Sequence, residues 1–262
     1  MAVKITITNQ KGGVGKTTTS INLAYYLARR GFRVLLLDFD PQGNATSGLG
    51  IDKSSLKRTT VDVILGKTDL AKIILPTKFD NLFLAPTVPQ LANAEVELNR
   101  SSKKFVQLKN SIHAIDADYD FILIDSPPSL SLLTVNGLAA ADYLILPVQT
   151  EFYALEGVGQ LLETMRLLRK ALNPNLKLLG ALPTMVDART ALSEQVLAEV
   201  NKYFKDKVFD TYIPRNVRLA EAPSHGVPIG AYDRFSKGAR AYKRLADEVI
   251  ARTKQKPPEG EK

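Results

Sequence analysis

Residues 4–18 read KITITNQKGGVGKTT, and this stretch decides the fold. Lys4–Thr8 alternates polar and apolar residues and is rich in β-branched ones, as a strand is. Glycines at 12, 13 and 15 follow, and Lys16-Thr17-Thr18 opens a helical pattern, expected to span Thr17–Arg29, with Ile21, Ala24, Leu27 and Ala28 on one side. A strand, a glycine-rich turn and a helix in that order make a phosphate-binding loop. Glycine lets the backbone turn tightly and aim several N–H groups at one anion, and the helix N-terminus adds its positive dipole end. The backbone of Lys11, Gly12, Gly13, Val14, Gly15 and Thr18 would line such a cradle. Lys16 would reach the outer phosphates of a nucleotide, and the Thr17 hydroxyl would ligate magnesium.

Outward from the loop, apolar runs alternate with helical patterns. Arg33–Asp38 (RVLLLD) is the continuous apolar run of a strand buried on both faces. Asn81–Ala85, Phe121–Asp125, Tyr143–Val148 and Leu178–Thr184 repeat it. Over Ala154–Leu172, the residues Leu155, Val158, Leu161, Leu162, Met165, Leu168 and Leu172 form a helical stripe. A last helix is expected over Ser236–Arg252, and a short one at Val61–Leu65 in the otherwise irregular stretch from Asp52 to Asn81. This alternation predicts an α/β, doubly wound, mainly parallel sheet with helices on both faces, the P-loop NTPase fold. One domain is expected over residues 1–253, with a polar, Pro-rich and disordered tail at 254–262.

Two acidic segments follow strands. The first is Asp38-Phe39-Asp40-Pro41-Gln42-Gly43-Asn44, and the second is Asp125-Ser126-Pro127-Pro128 after the apolar Phe121–Ile124. Ligands bind at the C-terminal ends of strands in open parallel sheets. The second has the Walker B form, in which the carboxylate of Asp125 holds magnesium, often through water. Alone, each reads as ordinary turn or strand-end chemistry; the phosphate loop is what gives them weight.

Composition narrows the field. The chain has 262 residues and no cysteine, which excludes disulfides, thiolate zinc sites, iron–sulfur clusters and a cysteine nucleophile. Its two histidines make a His-rich metal site a poor expectation. No leader pattern and no apolar run of about 18 residues stands out, so a cytoplasmic chain is expected. The net charge is +8, which favours polyanionic partners. Residues 215–256 hold ten Lys/Arg and four Asp/Glu, contributing +6 of that excess. Arg240, Lys243 and Arg244 can share one helix face, which fits contact with a phosphate backbone or simply a solvated surface.

The loop departs from the usual phosphate-loop pattern. Gln10 stands where a glycine is normal, and Lys11 comes next. In this, Lys11-Gly12-Gly13-x-Gly15-Lys16-Thr17 resembles the deviant Walker A motif of the ParA/MinD family. So do the two acidic segments, residues 147–157, Asp187-Ala188-Arg189-Thr190 and Ile213-Pro214-Arg215-Asn216-Val217-Arg218. The resemblance runs from about residue 3 to 250 and is strongest to the chromosomal ParA branch. It implies a slow ATPase with ATP and Mg2+ as cofactors. Lys11 would contact phosphate across a dimer interface, Asp40 would orient the attacking water, and Asp38 would lie near the magnesium. Pro214 and Asn216 would flank the adenine. In the nucleotide-bound homodimer, Arg189 and Arg218 would bind double-stranded DNA nonspecifically, joined by Lys237, Arg240, Lys243 and Arg244 of the last helix. A ParB-type centromere-binding protein would be the partner, and the nucleoid the place of work.

Three other readings compete. MinD-type relatives end in an amphipathic membrane helix, whereas this tail is too polar, so no membrane partner is expected. A metabolic P-loop enzyme of the amidoligase or dethiobiotin-synthetase kind would need a small-molecule pocket and fast turnover. A positioner of some other cargo would keep the same DNA-binding dimer. Only ten residues precede Lys11, so operator reading by an N-terminal domain is not expected.

Overall fold

The computed structural model describes residues 1–151, 154–155 and 158–256. Seven strands form one sheet: β1 (Val3–Ile7), β2 (Val34–Asp38), β3 (Leu75–Pro76), β4 (Leu82–Ala85), β5 (Phe121–Asp125), β6 (Tyr143–Gln149) and β7 (Lys177–Thr184). Their spatial order is β3-β4-β2-β5-β1-β6-β7. All neighbours are parallel except β3 and β4. The architecture is therefore the P-loop type that the alternating pattern predicts.

Both faces of the sheet are covered, which is why β2 and β5 are apolar at every position up to their final aspartates. Side chains still alternate. Leu36, Leu123 and Ile145 face the helices Lys16–Ala28 and Lys237–Thr253, meeting Leu23, Leu27, Tyr242 and Leu245. Leu35, Leu37, Ile122 and Ile124 face the helices Leu91–Leu98 and Gln107–His113. Further along the sheet, Leu144, Leu146 and Val148 of β6 pack with the helices Val158–Ala171 and Ala191–Phe204. The register sets Ile7 of β1 opposite Asp125, and Asp38 opposite the same Asp125 from the other side. The two aspartates thus meet beside the loop that leaves β1.

Departures from the sequence reading have local causes. The short helix is Thr60–Ile64, fixed by a capping box between Thr59 and Asp62. The leucine-rich helix runs Val158–Ala171, with Val158, Leu161, Met165 and Leu168 buried; Phe152, Tyr153, Glu156 and Gly157 lie outside the described residues. The helix Ala191–Phe204 and the two-residue edge strand β3 were not foreseen. The last helix ends in order: Lys254 takes the left-handed cap with φ 57°, and the Gln255 N–H donates to the Ile250 carbonyl at 3.2 Å. This cap satisfies the final helix carbonyls; of the tail expected at 254–262, residues 257–262 lie outside the described residues. No helix among the described residues is long and apolar enough to cross a membrane.

Candidate functional site

The phosphate loop is shaped by glycine and tied down on three sides. Gly13 and Gly15 take φ of 75° and 88°, the left-handed region that a side chain resists. The helix Lys16–Ala28 begins with no side-chain cap, so its first-turn N–H groups remain open to an anion. Asn9 accepts from the Lys11 N–H at 3.0 Å and donates to the Pro147 carbonyl at 2.7 Å, pinning the loop to β6. Thr184, at the end of β7, donates to the Val14 carbonyl at 2.9 Å. Lys16 is 6% exposed and its ammonium donates to the Lys11 carbonyl at 2.9 Å. Burial pulls the Lys16 pKa down, while the carboxylates of Asp125 and Asp40 push it up.

Those carboxylates stand at the ends of β5 and β2. Asp125 is fully buried and accepts from the Ser20 hydroxyl at 2.8 Å, and the nearby Thr17 hydroxyl helps to hold its pKa down. Its other oxygen, Oδ2, is buried with no hydrogen-bond partner. Burial first, and then the charge of Asp38, pushes its pKa up to about 8. Asp38 is also fully buried, and burial pushes it up to about 6. It is held by the backbone N–H and the hydroxyl of Thr46, both at 2.7 Å. Thr46 accepts in turn from the Thr87 N–H at 3.1 Å, and the Thr87 hydroxyl accepts from Thr60 at 2.7 Å. Asp40, 5% exposed, accepts from the Gln42 N–H at 2.9 Å. Lys53 donates to the Gln42 carbonyl at 2.7 Å and braces the same turn.

An orphaned carboxylate oxygen in a dry site is costly unless an ion or water meets it. Two crowded carboxylates and a hydroxyl at the foot of a phosphate cradle form the oxygen donor set that suits Mg2+, which keeps waters and takes phosphate oxygens as ligands. No cluster of three or more His, Cys, Asp or Glu among the described residues offers an all-protein cage. Thr17, Asp38 and Asp125 therefore fit a magnesium that arrives with a nucleotide.

A cavity of about 460 Å³ opens beside the cradle, lined among others by Gly15, Thr18, Met185, Pro214, Asn216 and Tyr242. An isolated parallel bridge from Val186 to Pro214 carries the chain back to the loop. Asn216 caps the short helix Val217–Glu221, its Oδ1 accepting from the Arg218 N–H at 2.9 Å. This leaves the Asn216 amide N–H groups without a partner among the described residues, and Pro214 and Asn216 both line the cavity beside the cradle.

The basic residues divide. Arg189 is 88% exposed on its side chain and pairs with Asp187 at 2.8 Å. Arg218 pairs with Glu221 at 2.9 Å and lies 3.8 Å from Asp233. Lys237, Arg240, Lys243 and Arg244 are exposed on one side of the last helix and make no ion pair among the described residues. Asn9, Ser20, Thr46, Thr87 and Thr184 were missed in the sequence. Only Ser20 carried a signal, one helical turn beyond Lys16 and on the same side.

A phosphate cradle, a buried lysine and paired carboxylates on a parallel sheet define a P-loop nucleotide-binding protein. Comparison with known proteins narrows this further. A family model described as an AAA domain matches residues 2–178. The chain is 56% identical to the sporulation initiation inhibitor protein Soj of Bacillus subtilis, over 94% of this chain and 98% of that one. It is 48% identical to the chromosome partitioning protein ParA of Myxococcus xanthus, over 97% and 90%. A solved structure named cobyrinic acid a,c-diamide synthase, from Mycobacterium smegmatis with a bound ATP analogue and magnesium, superposes with a TM-score of 0.88 at 39% identity, over 97% and 96%. The chain belongs to the ParA/Soj family of chromosome-partitioning ATPases.

Proposed function

We propose that this chain is an ATP-driven partitioning switch: ATP with Mg2+ joins two copies into a sandwich dimer that holds DNA without reading its sequence. Hydrolysis, stimulated by a ParB-type centromere-bound partner, releases it. The carrying observation is the buried, unpartnered Asp125 Oδ2 beside Asp38, at the foot of a cradle that holds Lys16. Thr17 and Asp125 would hold Mg2+, with Asp38 close by, and the ion would supply charge neutralisation to the nucleotide phosphates. Lys16 leaves the Lys11 carbonyl to meet the outer phosphates. Asp40 orients the attacking water. Phosphoryl transfer asks for positioning and charge neutralisation more than covalent chemistry.

Lys11 makes no ion pair among the described residues, so its ammonium is open to a phosphate on a second copy. A cation supplied in trans makes hydrolysis depend on dimerisation, which suits a timer. The exposed Arg189, Arg218, Lys237, Arg240, Lys243 and Arg244 would meet phosphates and place the ATP form on the nucleoid. Sedimentation of Asp40→Ala with ATP should give a dimer, and of Lys11→Ala a monomer. A monomeric Asp40→Ala at saturating ATP would sink the sandwich.

The name of the Mycobacterium smegmatis relative raises a metabolic reading, ATP-driven amidation of a cobyrinic acid. On our proposal, cobyrinic acid with ammonia leaves ATP turnover unchanged and DNA with partner raises it. The opposite pattern would replace the partitioning reading.

A further inference from the structure

Phe235 is 71% exposed, the most exposed aromatic ring among the described residues. A lone apolar side chain at a surface is ordinary; this one is held in place. The Phe235 N–H donates to Asp233 Oδ1 at 3.1 Å. The Ser236 hydroxyl donates to the Asp233 carbonyl at 2.9 Å and accepts from the Ala239 N–H at 3.1 Å, locking the turn to the last helix. The Arg234 guanidinium braces the ring, 4.6 Å from its centroid. Arg218 reaches the same turn through Asp233, and Lys237 and Arg240 follow within the first turn of the helix.

The chemistry of the surroundings selects the occupant. An apolar protein surface would have to desolvate Arg234, Lys237 and Arg240 to cover the ring, a penalty that these charges, unpaired among the described residues, do not recover. A DNA duplex offers phosphates to those cations, and deoxyribose and groove walls to the ring. Apolar side chains set among cations are used in this way against DNA grooves. We propose that Phe235, braced by Arg234, is a nonelectrostatic DNA contact that seats against the duplex groove while the neighbouring cations meet the backbone. This rests on the DNA-binding reading above.

Counterion release separates the two kinds of contact. Losing a phosphate contact lowers the slope of log affinity against log salt by about 0.9, and losing an apolar contact leaves the slope alone. The experiment measures binding of the ATP-bound protein to random-sequence duplex over a potassium chloride series. Phe235→Ala should lose about tenfold in affinity at every salt concentration with an unchanged slope. Phe235→Trp should bind as the wild type, and Arg240→Ala should flatten the slope. Melting of Phe235→Ala within about 2 °C of wild type fits a ring already in water. Wild-type binding with no loss in Phe235→Ala overturns the contact and leaves the DNA reading intact. Loss in Phe235→Ala of binding to phosphatidylglycerol vesicles, with DNA binding kept, also overturns it. Failure of the wild type to bind duplex in any nucleotide state removes the DNA reading itself.

Discussion

Thr46→Val keeps the shape of a fully buried side chain and removes its hydroxyl. Two bonds go with it: the donor to Asp38 at 2.7 Å and the acceptor for the Thr87 N–H at 3.1 Å. A hydrogen bond to a charged group contributes about 1.5–3 kcal/mol, and a buried N–H left unpaired costs about 1–3 kcal/mol. The two share one atom and do not add fully, so the loss is on the order of 3 kcal/mol. In a chain of this size that lowers Tm by about 6–12 °C. Thr46→Ser keeps both bonds and loses one methyl, about 1 kcal/mol. The assay is thermal melting without nucleotide at pH 8 and pH 5. Burial pushes Asp38 up to about 6, so at pH 8 it is a charged acceptor and at pH 5 it carries a proton. The gap between wild type and Thr46→Val is therefore wider at pH 8. Coincident melts at pH 8, or a gap that widens toward pH 5, would refute the reasoning.

Three more perturbations test separate parts of the site. The Asp125 pKa is raised by burial to about 8 from an unfolded value near 4. Its contribution to stability is full below the unfolded pKa and lost as pH rises through about 8. Asp125→Asn should therefore melt above wild type at pH 8 without nucleotide and gain nothing from ATP with Mg2+; a lower melt would show that the buried charge is no burden. Asn216→Ala removes a helix cap, about 1 kcal/mol, and should weaken ATP binding about tenfold while pyrophosphate binding, read by calorimetry, is unchanged. Equal losses for both ligands would place Asn216 away from the base. Arg189→Ala and Arg218→Ala should each lower the salt slope of DNA binding by about one; an unchanged slope would exclude that arginine from the interface.

The phosphate loop was legible because its chemistry is local: glycines where φ is positive, a lysine and threonine where a helix opens. The strand pattern was legible because β2 and β5 are buried on both faces and show it as unbroken apolar runs. Tertiary pairings were not. Asp38 and Asp125 lie far apart in the chain and meet only because β2 lies next to β5 in the sheet. Thr46 reaches Asp38 because Gly43, at φ 61°, turns the helix Asn44–Gly48 back over the strand end. Asn9, Thr87 and Thr184 are single polar residues whose partners are backbone groups from other elements, and no spacing announces that. Pro214 and Asn216 were placed by family resemblance alone, and the bridge to Val186 is the physical link that brings them to Gly15. The edge strand β3 is two residues long, too short for any alternation to show.

The central claim is that nucleotide state controls a DNA tether. The direct measurement is binding to random-sequence duplex with ATP or ADP, for the wild type and Asp40→Ala, across a salt series. The account predicts binding with ATP alone, strongest for Asp40→Ala because hydrolysis no longer ends it, and falling steeply with salt. Equal binding with ADP, or none by Asp40→Ala with ATP, would contradict it.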